Sequence, residues 1–148
     1  MKISTKAIYG LCVLVDLAAH DPAKPRSARD IARSQQISQK YVSRLAIDLR
    51  RARLIRSARG ANGGFRLARP PAEITLLEIV ETMEGPISVM DWLRPPRRRE
   101  RQALCPTRDM WTELNDGIRR LMRGIALTDV LGAYLRQNAV NGIWDYCI

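Results

Sequence analysis

The stretch from Ser27 to Arg69 most constrains what this chain can fold into. It reads as two short amphipathic segments with a tight polar joint, followed at once by a hairpin with a glycine-rich tip. Ser27 can cap a helix, and Asp30 sets a carboxylate beside the free N–H groups of the first turn. The joint Gln35-Gln36 precedes Ile37 and a second cap residue, Ser38. Beyond it Tyr41, Val42, Leu45, Leu49 and Ala52 recur at helical spacing and predict a packed face. Gln39, Lys40, Ser43, Arg44 and Arg51 project from the other face. Leu54 to Ser57 and Phe65 to Ala68 alternate as a half-buried ribbon does. Between them Arg59-Gly60-Ala61-Asn62-Gly63-Gly64 permits the positive φ angles and close backbone approaches of a tight tip. The local pattern is a helix-turn-helix with a wing.

A second helix with polar and cationic residues crowded at its N-terminal end suits a DNA major groove. There, side chains meet base edges and the helix dipole favours phosphate. Arg56, Arg59, Arg66 and Arg69 decorate the ribbon, and a basic tip can enter a minor groove or ride along phosphates. A winged-helix protein-protein adaptor is the rival from another class; it would bind an acidic partner and prefer no operator. A nucleotide loop fits poorly, because the glycine tip leads into a strand and lacks the Gly-Lys-Ser/Thr ending.

The formal net charge is +10, and its placement matters more than its size. Residues 1–70 hold 15 Lys/Arg against 4 Asp/Glu, whereas residues 71–148 hold 10 against 11. The positive field belongs to the helix-turn-helix half; such a field attracts a polyanion and makes binding salt dependent. At 148 residues the chain can hold one compact domain with an appended element. One histidine, His20, and scattered thiols supply no convergent acid, base or nucleophile, so no enzyme is expected. Cys12, Cys105 and Cys147 match neither a disulfide framework nor a paired zinc motif, which suits a reducing cytoplasm. The opening, with Lys2 and Lys6 before an apolar run, resembles a signal sequence only superficially, since the run is short and carries Asp16. No stretch approaches the roughly 18 uninterrupted apolar residues of a membrane span.

The flanking segments complete a mainly α chain with a small β-hairpin. Residues 4–19 predict a first helix capped by Ser4, with Ala7, Leu11, Leu14, Val15 and Ala18 on one face and Lys2 and Lys6 near phosphates at the edge of a DNA site. Asp21 to Arg26, with Pro22 and Pro25, is a linker. Thr75 opens a helix to Glu84, with Leu76, Ile79, Val80 and Met83 inward and Glu78, Glu81 and Glu84 on a solvated face. From Ile87 to Leu104 no period is clear, and RPPRRRERQ predicts a mobile basic loop. Pro106 suits the first turn of a long helix. In it Trp111, Leu114, Ile118, Leu121 and Ile125 are spaced three, four, three, four, as in a coiled-coil seam. Such a seam either meets a second copy or packs on its own domain. Thr128 to Gln137 predicts a short helix, and the tail from Asn141 is apolar. The expected division is 1–85 as the winged helix-turn-helix, 86–105 as the basic loop, and 106–148 as dimerisation helix and tail.

Several separated stretches carry a family resemblance in the right order: SARDIA, ISQKYVSRL, LIRSARGANGGFRLA, ITLLEIVETMEG, the amino end MKISTKAIYGLCVLVDLA and the late CPTRDMWTELND. Over roughly residues 1–132 the chain resembles the Rrf2 family of bacterial winged-helix transcription regulators, the IscR/NsrR/CymR type. The resemblance implies a cytoplasmic homodimeric repressor that binds a roughly palindromic operator in double-stranded DNA, with the long helix as the dimer contact. Within that frame Gln39, Lys40, Tyr41 and Arg44 are expected to read bases at the front of the second helix, with Ser38 beside them at the DNA and Arg59 and Gly60 serving at the wing tip. Lys2, Arg56 and Arg66 are assigned mostly to phosphates. Many relatives hold an iron-sulfur cluster on three loop cysteines, and Cys105 matches the last of these. Leu93 and Arg99 fall near the places of the others, and Arg108 occupies that of a histidine found in some members. One thiolate cannot hold a cluster in the usual way, so no cofactor is expected, and a small-molecule or protein co-regulator is the natural alternative. Two sensor routes stay open. Cys12 of a partner could join Cys105 in an atypical cluster, although Cys12 reads more simply as a small buried hydrophobe. Alternatively, Cys105 beside Arg108 could act as a redox-reactive thiol.

Overall fold

The computed structural model describes residues 3–60, 63–90 and 106–141, with side-chain environments to residue 137. Lys2, the basic loop from Asp91 through Cys105 and the apolar tail beyond 141 therefore lie outside the described residues, as do Ala61 and Asn62 at the wing tip, whereas Ile87 and Ser88, expected in the mobile loop, are buried. Among the described residues the order is α1 (Thr5–Ala18), α2 (Ala28–Gln35), α3 (Gln39–Arg51), β1 (Ile55–Ala58), β2 (Gly64–Leu67), a 3-10 turn (Pro71–Glu73), α4 (Leu76–Glu84), α5 (Arg108–Gly124) and α6 (Leu127–Asn141). This is the expected winged helix-turn-helix, mainly α with one small antiparallel hairpin.

Local chemistry sets the helix starts. The Ser27 hydroxyl accepts from Asp30 N at 3.1 Å and donates to Asp30 Oδ2 at 2.6 Å. Ser38 and Thr75 cap α3 and α4 by accepting from Tyr41 N at 3.2 Å and Glu78 N at 3.3 Å. Each such cap contributes about 1 kcal/mol. Ser4 behaves differently from expectation: its side chain makes no cap bond, and its N–H instead donates to Glu84 Oε1 at 2.6 Å. The start of α1 is thereby tied to the end of α4. The joint between α2 and α3 turns on Gln36, which adopts a left-handed conformation with φ 50° and ψ 42°.

Helix α1 is buried nearly all round, through Ala7, Val13, Leu14, Val15 and Leu17. Around it stand Ile31 of α2, Val42, Leu45 and Leu49 of α3, Leu54 and Ile55 at the hairpin root, and Leu77, Ile79, Val80 and Met83 of α4. Met122 of α5 and Leu127 of α6 belong to the same cluster. Each fully buried aliphatic side chain stabilises the fold by roughly 1.5 to 3 kcal/mol.

Four expectations change in the second half. Pro106 sits in a turn ahead of α5, which begins at Arg108. Ile125 lies past the end of α5 in extended backbone, because its carbonyl accepts from Leu76 N at 2.8 Å while Leu127 N donates to Ile74 O at 2.8 Å. That strand-like exchange stops α5 and turns the chain into α6, which runs over 15 residues, longer than the predicted Thr128 to Gln137. The acidic face of α4 is engaged instead of simply solvated: Glu78 pairs with Arg69, and Glu81 pairs with Arg119 and accepts from Ile87 N.

Candidate nucleic-acid interface

The packing of α3 decides which of its residues face out. Val42, Leu45, Ala46 and Leu49 are buried, which leaves Gln39, Lys40, Ser43 and Arg44 exposed on the opposite face. Ser38 is exposed as well, with its hydroxyl engaged by Tyr41 N. Tyr41 is half-buried and meets Tyr9 of α1 edge-on, with centroids 5.8 Å apart and planes at 86°. Its ring braces α3 against α1, so only part of it is open to a ligand. Lys6, expected near phosphates, is paired with Asp48 of α3 at 2.7 Å. It ties α1 to α3.

The wing follows after a single left-handed residue, Arg53, with φ 59°. Its register pairs Ile55 with Leu67, Arg56 with Arg66, Ser57 with Phe65 and Ala58 with Gly64. Alternation places Ile55, Ser57, Phe65 and Leu67 on one face and the two arginines side by side on the other. Like charges directly opposite on a ladder are unfavourable, and no carboxylate among the described residues neutralises Arg56 or Arg66. Arg59 and Gly60 follow at the tip, both exposed, with Gly60 at φ 108°.

The wing root is held by a third segment that sequence reasoning took for a plain linker. Arg26 N donates to Phe65 O at 2.9 Å, and Phe65 N donates to Arg26 O at 2.8 Å, so the linker forms a one-residue outer strand. Gly64 is required there: a Cβ would stand 2.3 Å from the Arg26 carbonyl oxygen. The Arg26 side chain reaches into the body, where Nε and Nη2 donate to the two oxygens of Asp16 at 3.1 and 3.2 Å. Asp16 is 1% exposed and also accepts from the Ser34 hydroxyl and from Gln35 Nε2 at 3.4 Å. A buried carboxylate is tolerable only with donors of this kind. The available signal is an acid within the apolar run of α1, Leu11 to Ala18. Arg69 is likewise committed, to Glu78 and to the Glu73 carbonyl at 2.9 Å. On α2, the hydroxyl of Ser27 holds the Asp30 carboxyl below its ordinary value; burial opposes that shift, and Arg26 and Arg33 assist it.

On α5 the exposed apolar stripe is Met110, Leu114 and Leu121, at 55%, 45% and 68% exposure, with Gly117 between them. Met110 was missed by the seam reading, whereas Trp111 and Ile118 are half-buried and Ile118 leans on the core. Trp111 Nε1 donates to Thr107 Oγ1 at 3.2 Å. Cys12 is half-buried within α1, and Cys105 lies outside the described residues. Among the described residues no group of three or more His, Cys, Asp or Glu could hold a metal ion. The donor set does not fit a conventional three-cysteine cluster, because the segment before α5 carries one thiol, Cys105. No helix among the described residues is long and apolar enough to cross a membrane.

Comparison with known proteins agrees with this geometry. Residues 3–133 match the sequence model of the Rrf2 family, described as iron-dependent transcriptional regulators. The HTH-type transcriptional regulator CymR of Bacillus subtilis is 34% identical over 88% of this chain and 89% of its own. Its solved structure, described as that of the global cysteine regulator, superposes with a TM-score of 0.75 over 90% of this chain and 98% of that one. Protein rrf2 of Nitratidesulfovibrio vulgaris is 37% identical over 95% of each chain. The structure of T. potens IscR, at 30% identity, superposes with a TM-score of 0.71 over 99% of this chain and 95% of that one.

Proposed function

Because the chain belongs to the Rrf2 family and is a DNA-binding transcription regulator, not an enzyme, we propose that it acts as a homodimeric, sequence-specific repressor in the cytoplasm. The observation that carries this reading is the contrast on one surface: exposed Gln39, Lys40 and Arg44 at the capped end of α3, and Arg56, Arg59 and Arg66 on the wing, have no carboxylate partner among the described residues. Gln39, Lys40 and Arg44 read base edges, with Ser38 and Tyr41 fixing the helix end. Arg59 and Gly60 enter the adjacent groove, and Lys2, Arg56 and Arg66 sit on phosphates.

The α5 stripe of Met110, Leu114 and Leu121 supports dimerisation, while Trp111, Ile118 and Ile125 of the expected seam are half-buried and Ile118 packs on the core. In this division residues 1–85 bind DNA, 86–105 add a basic loop and 106–148 carry the dimer contact. A twofold dimer presents two reading helices to a roughly palindromic operator. The repressor works without a conventional cluster; its signal comes from a small molecule, a protein partner or the Cys105 thiol, with an atypical Cys12 and Cys105 cluster as the alternative.

The test is selection from random-sequence duplexes by the full chain, followed by mass measurement of free protein and complex. The expected result is one enriched, roughly palindromic site bound by two copies. Leu121→Asp, on a side chain that is largely exposed, should yield a folded monomer with weakened operator binding. Absence of any enriched sequence would refute the proposal and favour an adaptor.

A further inference from the structure

A cavity of about 460 Å³ lies between the C-terminal end of α1, the linker and the outer edge of the wing. That volume falls among those of small-molecule sites, roughly 300 to 1,000 Å³. Its apolar lining comes from Leu17, Ala18, Pro22, Phe65, Leu67 and Pro71. Lys24, Arg26, Arg56, Arg66, Arg69 and His20 also line it, against a single carboxylate, Asp21.

The five lysine and arginine side chains divide by engagement. Arg26 is neutralised by Asp16 and Arg69 by Glu78. Arg56 and Arg66 have no such partner among the described residues, and Lys24 makes only an exposed contact of 4.0 Å with Asp21. The floor adds a backbone donor. Phe65 exchanges both backbone bonds with Arg26, and Ala68 N donates to Leu54 O at 3.0 Å. By the alternation of an antiparallel ladder, the N–H of Leu67 therefore points away from β1, on the side that Phe65 uses. The Arg26 bridge stops at Phe65, so no described strand covers Leu67.

An apolar pocket whose lining includes Arg56 and Arg66, with no carboxylate partner among the described residues, and the strand that carries the Leu67 N–H suits a small molecule with an apolar body and one carboxylate. The geometry points to an effector site for such an amphipathic carboxylate, which competes with DNA phosphate for Arg56 and Arg66. This rests on the proposed phosphate role of those two arginines. An occupied cavity diverts both from the DNA backbone, so the ligand releases the regulator from its operator.

The experiment uses 2-naphthoate as probe and 2-naphthylmethanol as its neutral counterpart, titrated calorimetrically into the DNA-free full chain. The expected result is saturable naphthoate binding. The alcohol, Lys24→Gln and the cavity-filling Ala18→Phe should each bind at least roughly tenfold more weakly, the loss expected for a charged hydrogen bond or a blocked pocket. Lys24 is exposed, so its variant carries the test even if Ala18→Phe fails to melt cooperatively. Saturating naphthoate should also lower wild-type affinity for the selected operator by roughly tenfold or more. No saturable heat, or equal affinity for the alcohol, overturns the site. Naphthoate bound with operator affinity unchanged overturns the competition. Failure of the DNA-binding reading itself is recorded separately, in the naphthoate-free operator titration.

Discussion

Arg56 and Arg66 face each other across the hairpin with no described carboxylate to neutralise them, whereas Arg69 and Arg119 are each locked to a glutamate of α4. Arg26 goes further and reaches buried Asp16. The side chains are the same; their surroundings assign them opposite duties. Paired arginines hold the hairpin root and α5 against the body. Those without a described partner repel each other in the free protein, a repulsion that the proposed contact with DNA phosphate would relieve.

The largest effect should come from breaking the deepest pair. Asp16→Asn leaves Arg26 without its counter-charge and should cost about 3 kcal/mol in urea unfolding. A loss below about 0.5 kcal/mol, within the range of ordinary surface changes, would show that the buried pair does not anchor the wing. Next is Arg44→Ala, which should reduce discrimination at one base position by about 1 to 3 kcal/mol while leaving the melting temperature unchanged. Equal weakening on all sequences would move Arg44 from base reading to phosphate. Arg66→Ala should then weaken binding evenly and lower the salt slope by about 1. The matched change Arg69→Ala should cost about 0.5 kcal/mol of stability, since its pair with Glu78 is about one-third exposed, and leave the salt slope as it was. If both variants change the slope alike, the division of arginines collapses.

The smallest effect concerns acid. Asp30 has a folded pKa below its ordinary 3.8, so its contribution is fully present above that value and is lost as pH falls through the folded pKa. Melting curves of wild type and Asp30→Asn should therefore differ at neutral pH and converge under strong acid. A gap that persists unchanged at low pH would mean the carboxylate charge is not what matters at that cap.

Features written in neighbouring residues were legible in the sequence. The caps at Ser27, Ser38 and Thr75, the inward face of α3 and the glycine-tipped hairpin all depend on spacings of a few residues, and all appear as expected. What could not be read are contacts between segments distant along the chain. Asp16 meets Arg26 and Ser34 from separate segments, and Glu81 meets Arg119 from a later helix. The end of α5 belongs to the same class, because Ile125 leaves the helix to pair with a segment some fifty residues earlier. On the candidate interface, the charged residues could be named from the sequence, but not that Lys6 and Arg69 are occupied by Asp48 and Glu78.

The bridge between Arg26 and Phe65 gives the hairpin the mechanics of a cantilever. Its root is clamped on one side by β1 and on the other by the linker, and Gly64 lets the clamp close tightly. The ladder is thus held from its root as far as the pair Ala58 and Gly64. The same Arg26 is bonded through its side chain to Asp16, so the end of α1 and the hairpin root are coupled through one residue.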